Sequence, residues 1–163
     1  MAQYTGKVWV LGDDIDTDII IPTEYLALKT IEDMKQYGFS PLRPELAGQI
    51  KPGDIIVAGK NFGCGSSREQ APEAIKALGI PCIIAKSFAR IFYRNALNNG
   101  LLLLEQPELH DVVKEGDTIT VTVNEDVEYN GKKYPIASLP ENLMEIIEAG
   151  GLVKAMRKRN GLD

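Results

Sequence analysis

The chain is poor in the residues that several catalytic classes require. Its 163 residues include two cysteines and a single histidine. Cys64 and Cys82 form no C-x-x-C pair, and two thiolates are too few for an iron–sulfur cluster, which usually takes about four. A serine–histidine–aspartate triad would have to use His110, which lies between Leu109 and Asp111 and around which no arrangement of base and orienting residue is evident. Hydrolase chemistry of that kind is therefore disfavoured.

Long apolar runs and an excess of positive charge are also missing. No apolar stretch approaches the roughly 20 residues that span a bilayer. Residues 1 to 5 lack the charged start and apolar body of a signal peptide. The net charge of −5 argues against nucleic acid or an anionic membrane as a partner. We therefore expect a cytoplasmic protein and, at this length, a single domain spanning residues 1–163.

The most informative stretch of the chain runs from residue 54 to residue 79. An apolar run at 54–59 predicts a short buried strand, and a glycine-rich loop follows it. A helix is then predicted from about Ser67 to Leu78, because Ser66 or Ser67 stands where a helix N-cap is expected and Gly79 follows the last turn.

This loop has the features of an anion site. Gly63 and Gly65 allow positive φ and a close backbone approach to a ligand, and Arg68 adds a planar fork of donors suited to a carboxylate. The spacing matches neither a P-loop nor a dinucleotide fingerprint, in which Arg68 would occupy the third glycine position. The residues themselves leave open both a carboxylate site and a plain serine-capped turn.

An acidic loop lies near the start of the chain. Asp13, Asp14, Asp16 and Asp18 have the spacing of oxygen ligands for a cation, but the glycine and distal glutamate of an EF-hand loop are missing. A solvated turn, in which these side chains bond their own backbone, is the preferred interpretation.

Residues 54 to 104 alternate in pattern as strand, helix, strand, helix, strand. This order predicts parallel pairing with right-handed crossovers. Asn130-Gly131 between two strand-like runs predicts a hairpin in the later part of the chain. The expected fold is α/β, with a mixed sheet, a parallel βαβαβ centre and a β-hairpin extension.

The second of those helices is predicted from a cap at Ser87 to Asn99. Its expected buried stripe consists of Phe88, Ile91, Phe92 and Leu97. Arg90 and Arg94 lie one turn apart, off that stripe. They are interpreted either as salt-bridged surface residues or as docking contacts for a partner, and docking is slightly favoured.

Four motifs together resemble the swivelling domain of the aconitase superfamily. At this length the chain is similar to the small subunits of 3-isopropylmalate dehydratase and their close relatives. The similarity extends over roughly residues 6 to 157, and it implies a swivelling β/β/α fold. The motifs, in chain order, are Gly12-Asp-Asp-Ile-Asp-Thr-Asp18, Asn61-Phe-Gly-Cys-Gly-Ser-Ser-Arg-Glu69, Ala85-Lys-Ser-Phe-Ala-Arg-Ile91 and Asn95-Ala-Leu-Asn-Asn-Gly-Leu101.

The resemblance implies half of a hydro-lyase. Enzymes of this family isomerise 2-isopropylmalate to 3-isopropylmalate by dehydration and rehydration, in leucine biosynthesis. They use a 4Fe–4S cluster, and because this chain holds only two cysteines the cluster is expected on a separate large subunit. The expected partners are that subunit, in a heterodimer or heterotetramer, and a small 2-hydroxy diacid substrate. No cofactor or metal is expected in this chain.

The resemblance also implies roles for eight residues. Ser66 would be the general base, and Arg68 would hold a substrate carboxylate. Ser67 would be a second ligand or only a cap, and Asp18 would line the site. In the family a loop closes over the substrate and selects its variable arm; here that loop is Tyr25, Leu26, Ala27 and Leu28.

The apolar character of that loop favours an alkyl-bearing substrate. Such a lip gains about 25 cal/mol per Å² of apolar surface removed from water, but it cannot pair a third carboxylate. A loop register shifted toward Lys29 would weaken this argument, and simple packing of Tyr25, Leu26 and Leu28 is the competing interpretation. The alternatives in the same class are a 2,3-dimethylmalate or methylmalate dehydratase and homoaconitase. From another class, a non-catalytic carboxylate-binding module also fits the loop.

Overall fold

Seven strands form one mixed sheet within residues 3–161, the part of the chain that the computed structural model describes. Their order across the sheet is β4-β3-β2-β1-β5-β6-β7. The strands are β1 (Gln3–Val10), β2 (Ile55–Ala58), β3 (Cys82–Ala85), β4 (Leu102–Glu105), β5 (Thr118–Thr122), β6 (Asp126–Tyr129) and β7 (Lys132–Pro135).

The sheet has a parallel half and an antiparallel half. β1, β2, β3 and β4 pair in parallel, whereas β1–β5, β5–β6 and β6–β7 pair antiparallel. The hairpin turn between β6 and β7 is made by Asn130 and Gly131, with φ of 50° and 79°. Positive φ at both positions is what a two-residue hairpin turn requires, and Asn-Gly tolerates it. The predicted α/β fold with its parallel centre and hairpin extension is confirmed.

Helices of one to three turns connect and cover the strands. Two of them, α4 and α5, form the crossovers from β2 to β3 and from β3 to β4, and the longer connection from β1 to β2 contains α1, α2 and α3. Within residues 3–161 no helix is long and apolar enough to cross a membrane. The helices are α1 (Thr17–Ile20), α2 (Ile31–Met34), α3 (Leu46–Gln49), α4 (Gln70–Ala77), α5 (Arg90–Asn98), α6 (Leu109–Val112), α7 (Glu141–Ala149) and α8 (Leu152–Arg159), with 3-10 turns at Thr23–Tyr25 and Lys35–Tyr37.

The parallel strands are buried on both faces, which explains their continuous apolar sequences. Because side chains alternate along a strand, β2 sends Ile56 to one core and Val57 to the other. The first core also contains Ile75 of α4 and Phe92 of α5. The second contains Val121 of β5 and side chains of the remaining antiparallel strands. Packing on both faces therefore fixes the strands from which the loops of the parallel half extend.

Both serine caps predicted from the sequence are wrong. Helix α4 begins at Gln70, after a Glu69 that makes no side-chain cap, so Ser66 and Ser67 lie outside the helix. Helix α5 begins at Arg90, and the Ser87 hydroxyl accepts the Asn61 N–H at 2.8 Å instead of capping it. Contacts between neighbouring loops have taken the place of local capping.

The buried stripe of α5 also differs from the prediction. Phe92, Ala96 and Leu97 are buried, but Ile91 is 55% exposed. One residue is about 100° of rotation in a helix, so packing Phe92 on the sheet turns Ile91 away from it.

Candidate active site

The glycine-rich loop, residues 59–69, leaves the carboxyl end of β2 on a fixed path. Phe62 is fully buried and packs edge-on against Phe92 at 5.4 Å between ring centroids. Gly63 has φ of 84°, and a Cβ added there would lie 2.1 Å from Cγ of Phe92. Gly65 also has positive φ, at 92°. The predicted left-handed glycines are therefore present, and the first one permits close packing as well as a turn.

The acidic loop clamps the glycine-rich loop. An Asp13 carboxylate oxygen accepts the Lys60 N–H at 2.7 Å, and an Asp14 carboxylate oxygen accepts the Asn61 side-chain amide at 3.0 Å. Asp16 caps α1 through the Ile19 N–H at 2.9 Å. Only Asp16 bonds its own backbone as expected; the other two hold a distant loop. Across residues 3–161 no group of three or more His, Cys, Asp or Glu could hold a metal ion.

Thr17 fixes the main chain on either side of the loop's second glycine. Its side chain is 2% exposed, and its Oγ1 donates to the Ser66 carbonyl at 2.7 Å. Its N–H donates to the Cys64 carbonyl at 2.9 Å. Sequence reasoning missed this role. The one available signal was that a cap at Asp16 places Thr17 in the first turn of a helix.

A cleft of about 300 Å³ separates the glycine-rich loop from the start of α5. Ser66 and Ser67 are exposed on its loop side, and Ile91 and Asn95 lie on its helix side. The Asn95 side-chain amide donates to the Ser67 hydroxyl at 3.3 Å. The Ser66 hydroxyl has no hydrogen-bond partner among residues 3–161. Ser66 is therefore the free hydroxyl of the pair, and Ser67 is the tethered one.

The backbone beside Ser66 supplies unused donors. In the described chain, the N–H groups of residues 65 to 68 donate no hydrogen bond. Exposed N–H groups in succession, in a loop held by positive-φ glycines, attract anions. Because α4 starts only at Gln70, the dipole of that helix contributes little at Ser66. An anion placed beside Ser66 would therefore be held by the N–H groups of the loop more than by the helix dipole.

Arg68 is held along one edge of its guanidinium. Nη1 donates to the Ile21 carbonyl at 2.8 Å and lies 2.7 Å from an Asp18 carboxylate oxygen, and Nη2 donates to the Thr23 hydroxyl at 2.9 Å. The side chain is only 12% exposed. An arginine has five N–H donors, and those left on Nε and Nη2 have no acceptor within residues 3–161. Arg68 thus has a fixed edge and a free edge.

Asp18, which the resemblance places in the lining of the site, contacts Arg68 and is not among the residues that line the cleft. The Thr23 hydroxyl, and then Arg68, lower the pKa of the Asp18 carboxyl group. The carboxylate therefore stays ionised at neutral pH and keeps Arg68 in place. Asp18 and Thr23 together orient the cation.

The loop expected to select the substrate lies apart from the cleft within this chain. Tyr25 stacks on Tyr37 with ring centroids 3.9 Å apart. Leu26 and Leu28 are half-buried against the first core, while Ala27 is exposed. None of these four side chains lines the 300 Å³ cleft. Thr23, two residues before this loop, contacts Arg68.

The other nucleophile candidates do not compete with Ser66. Burial, and then the carboxylates of Asp16 and Asp14, raise the pKa of the Cys64 thiol. A raised pKa keeps that thiol protonated and unreactive. His110 lies in the short helix α6 and not in a loop, and its Nε2 is 2.7 Å from the Leu11 carbonyl. It does not line the cleft.

Comparisons with known proteins agree with this fold. The profile of the aconitase C-terminal domain matches residues 24–109. The 3-isopropylmalate dehydratase small subunit of Lachnospira eligens is 80% identical over 99% of this chain and 98% of its own length. The small subunit 1 of the same enzyme from Archaeoglobus fulgidus is 52% identical, over 94% of this chain and 99% of its own.

A solved structure gives the same result in three dimensions. The crystal structure of 3-isopropylmalate dehydratase from Methanocaldococcus jannaschii matches with a TM-score of 0.93 at 40% identity, covering 99% of this chain and 97% of that one. The resemblance drawn from the motifs is therefore confirmed, with the glycine-rich loop inside the matched profile. The chain belongs to the family of 3-isopropylmalate dehydratase small subunits, whose fold is that of the aconitase C-terminal domain.

Proposed function

We propose that this chain supplies half of the active site of a heteromeric hydro-lyase that converts 2-isopropylmalate to 3-isopropylmalate. The observation that carries the proposal is the free Ser66 hydroxyl, which lies beside unused backbone donors and the free edge of Arg68. The names of the relatives support this substrate and a place in leucine biosynthesis. A cytoplasmic location and a single swivelling domain over residues 1–163 belong to the same proposal.

Ser66 acts as the general base. Its alkoxide takes the proton from the carbon next to a substrate carboxylate and becomes a neutral hydroxyl, and the C–H electron pair becomes the second bond of an alkene. The hydroxyl group leaves the neighbouring carbon with its own bonding pair, and a proton from an acid outside this chain would convert it to water. Rehydration reverses these steps with the two carbons exchanged. The loop N–H groups, and not the start of α4, stabilise the alkoxide, because the helix begins four residues after Ser66.

Arg68 orients the substrate for this proton transfer. The donors on Nε and Nη2 bind one substrate carboxylate, while Ile21, Thr23 and Asp18 hold the opposite edge. A guanidinium whose position is already fixed loses less freedom when the substrate binds. Ser67, held by Asn95, is a second hydroxyl in reach of the same ligand.

The remaining chemistry comes from a large partner subunit. A 4Fe–4S cluster on that subunit would supply the Lewis acid for the departing hydroxyl. The cysteines of this chain do not fit such a cluster, since there are only two of them and Cys82 is fully buried. In a heterodimer or a heterotetramer, this chain would supply the base and the large subunit would supply the cluster.

Shorter alkylmalates are the second candidate substrates. The small subunit of Methanocaldococcus jannaschii that is 47% identical, over 94% of each chain, is named for isopropylmalate and citramalate together. The segment from Leu26 to Leu28 lies apart from the Ser66 cleft within this chain, and it would have to close over the substrate in the complex. Its apolar composition suits an alkyl arm of either size. It offers no cation for a third carboxylate, which disfavours homocitrate.

The test is reconstitution under anoxic conditions with the large subunit of the same organism. We expect turnover with 2-isopropylmalate, weaker turnover with methyl-bearing malates and none with homocitrate. The isolated chain should bind these acids weakly or not at all. Tight binding by the isolated chain, with no turnover in the complex, would favour a non-catalytic carboxylate-binding module.

A further inference from the structure

The exposed side of α5 carries an unusual combination of side chains. Ile91 is 55% exposed, and Arg90 and Arg94 flank it on the solvent side of the helix. We call these three residues the α5 patch. The helix packs its other side, Phe92 and Ala96, against the first core. A large exposed apolar residue between two cations is a composition found at protein interfaces, where arginine is enriched.

In the part of the chain that the structure describes, both arginines of the α5 patch lack a partner. Among residues 3–161, Arg90 and Arg94 form no ion pair and donate no hydrogen bond. Glu105 borders the same surface as Arg90 without forming an ion pair with it. This is notable in a protein with a net charge of −5, where other arginines, such as Arg43 and Arg68, are paired with carboxylates.

The α5 patch is continuous with the Ser66 cleft. Arg90 and Ile91 line that cleft together with Ser66. On its other side, Arg90 borders a depression of about 410 Å³ that includes Arg94 and Leu143 of α7. A partner that closes the cleft over Ser66 therefore meets the α5 patch directly.

We propose that the α5 patch is the docking surface for the large subunit, which presents acidic side chains to Arg90 and Arg94 and an apolar pocket to Ile91. The inference rests on the proposed function, since it takes the large subunit as the partner that completes the Ser66 site. Charge pairing of this kind steers association and fixes the orientation of two subunits. Docking of the large subunit on the α5 patch aligns the Ser66 cleft with the catalytic group of that subunit.

A second exposed apolar surface does not share these properties. Val153 and Met156 of α8 are 72% and 54% exposed, but neither borders the Ser66 cleft. Continuity with the cleft, together with the two unpaired arginines, singles out α5.

The test is the dissociation constant of the two subunits, measured by titrating labelled small subunit with the holo large subunit. Arg94→Glu is the principal variant, because Arg94 lies outside the Ser66 cleft. We expect the dissociation constant to rise about tenfold or more for Arg94→Glu and less for the neutral Arg94→Gln. Lys133→Glu, an equal charge change on an exposed residue of β7, is the matched control and should change the constant less than about twofold.

Salt separates charge pairing from apolar contact. The wild-type dissociation constant should rise with ionic strength, and Arg94→Glu should flatten that dependence. An unchanged dissociation constant in Arg94→Glu and Arg90→Glu alike would overturn the proposal. A small subunit that self-associates through this patch, and whose affinity for the large subunit is unaffected by the variants, would also overturn it.

The proposed function fails separately from the docking proposal. A Ser66→Ala complex that assembles normally and turns over at the wild-type rate removes the base but leaves the docking surface intact. Wild-type affinity in both Arg94→Glu and Arg90→Glu removes the docking surface but leaves the base intact.

Discussion

The two halves of the sheet differ in how their strands are joined. In the parallel half, β1, β2 and β3 all end at the edge where the acidic loop, the glycine-rich loop and the start of α5 meet. In the antiparallel half, β5, β6 and β7 are joined by tight turns, and no residue of the Ser66 cleft comes from them. Crossover connections gather loops at one edge of a sheet, whereas hairpins return directly. The candidate chemistry lies where the connections are long, and the other half serves stability.

The largest expected effect tests the parallel half. Ser66→Ala should lower turnover of the reconstituted enzyme by about 10²- to 10⁴-fold, because general base catalysis contributes on that scale. Steady-state kinetics with 2-isopropylmalate measures it. The matched control is Ser138→Ala. Ser138 follows β7, its hydroxyl donates to the Asn124 carbonyl, and its loss should leave turnover unchanged. Comparable losses of turnover in both variants would show that the two halves of the sheet do not differ in their contribution to catalysis.

The next effect should appear in stability alone. Tyr134 of β7 is 5% exposed, and Tyr134→Ala should lower the free energy of unfolding by about 3–5 kcal/mol through a cavity in the second core. Chemical denaturation measures this loss. Turnover of the folded complex at low temperature should stay near the wild-type value. A specific loss of turnover with unchanged stability would show that the antiparallel half shapes the site.

A smaller effect concerns the alignment of Ser66. Thr17→Val removes the hydroxyl that holds the Ser66 carbonyl, and we expect about a tenfold fall in kcat with little change in KM. Thr17→Ser keeps the hydroxyl and should restore most of the activity. The control is Thr120→Val on β5, where the lost hydroxyl pairs only with Thr5. Equal effects on melting temperature and kcat in both valine variants would reduce Thr17 to a structural residue.

The smallest effect depends on pH. Arg43 forms a fork with Glu115 at 2.6 and 3.0 Å, and this contact lowers the pKa of the Glu115 carboxyl group from its ordinary 4.5. A lowered pKa in the folded state means that the stabilisation is present above pH about 4.5 and is lost as pH falls through the lowered value. Glu115→Gln should lower the free energy of unfolding by less than about 1 kcal/mol near neutral pH. At a pH below the lowered pKa, the substitution should not change the free energy of unfolding. Thermal melts of both proteins from pH 3 to 7 measure this difference in stability. The turnover of the reconstituted enzyme should be the same for the two proteins.

The features that the sequence predicts correctly are determined locally. Asn130-Gly131 meets the φ requirement of a hairpin by itself, and the apolar runs of β2, β3 and β4 require burial wherever they occur. The order of strands and helices then leaves few topologies.

The features it misses depend on contacts between distant segments. Ser87 is bonded to Asn61, 26 residues away, and Thr17 to Ser66, 49 residues away. Capping rules describe a helix with its own neighbours and do not include a second loop that offers a better partner. Asn95 was missed for the same reason, since helical spacing places it near Ile91 but does not reveal Ser67 across the cleft. The roles of these residues follow only from the folded structure, in which the acidic loop, the glycine-rich loop and the start of α5 meet at one edge of the sheet.

The burial pattern of residues 26 to 28 has a consequence for how the protein can evolve. Leu26 and Leu28 are half-buried against the first core, so replacing either one alters packing. Ala27 between them is exposed, so mutation can change its size or charge at little cost to the fold. Natural variation can therefore try new side chains at a single position of the loop while the scaffold stays the same. Under the proposed function, in which this loop contacts the substrate, the substrate range could change through substitutions at this one position.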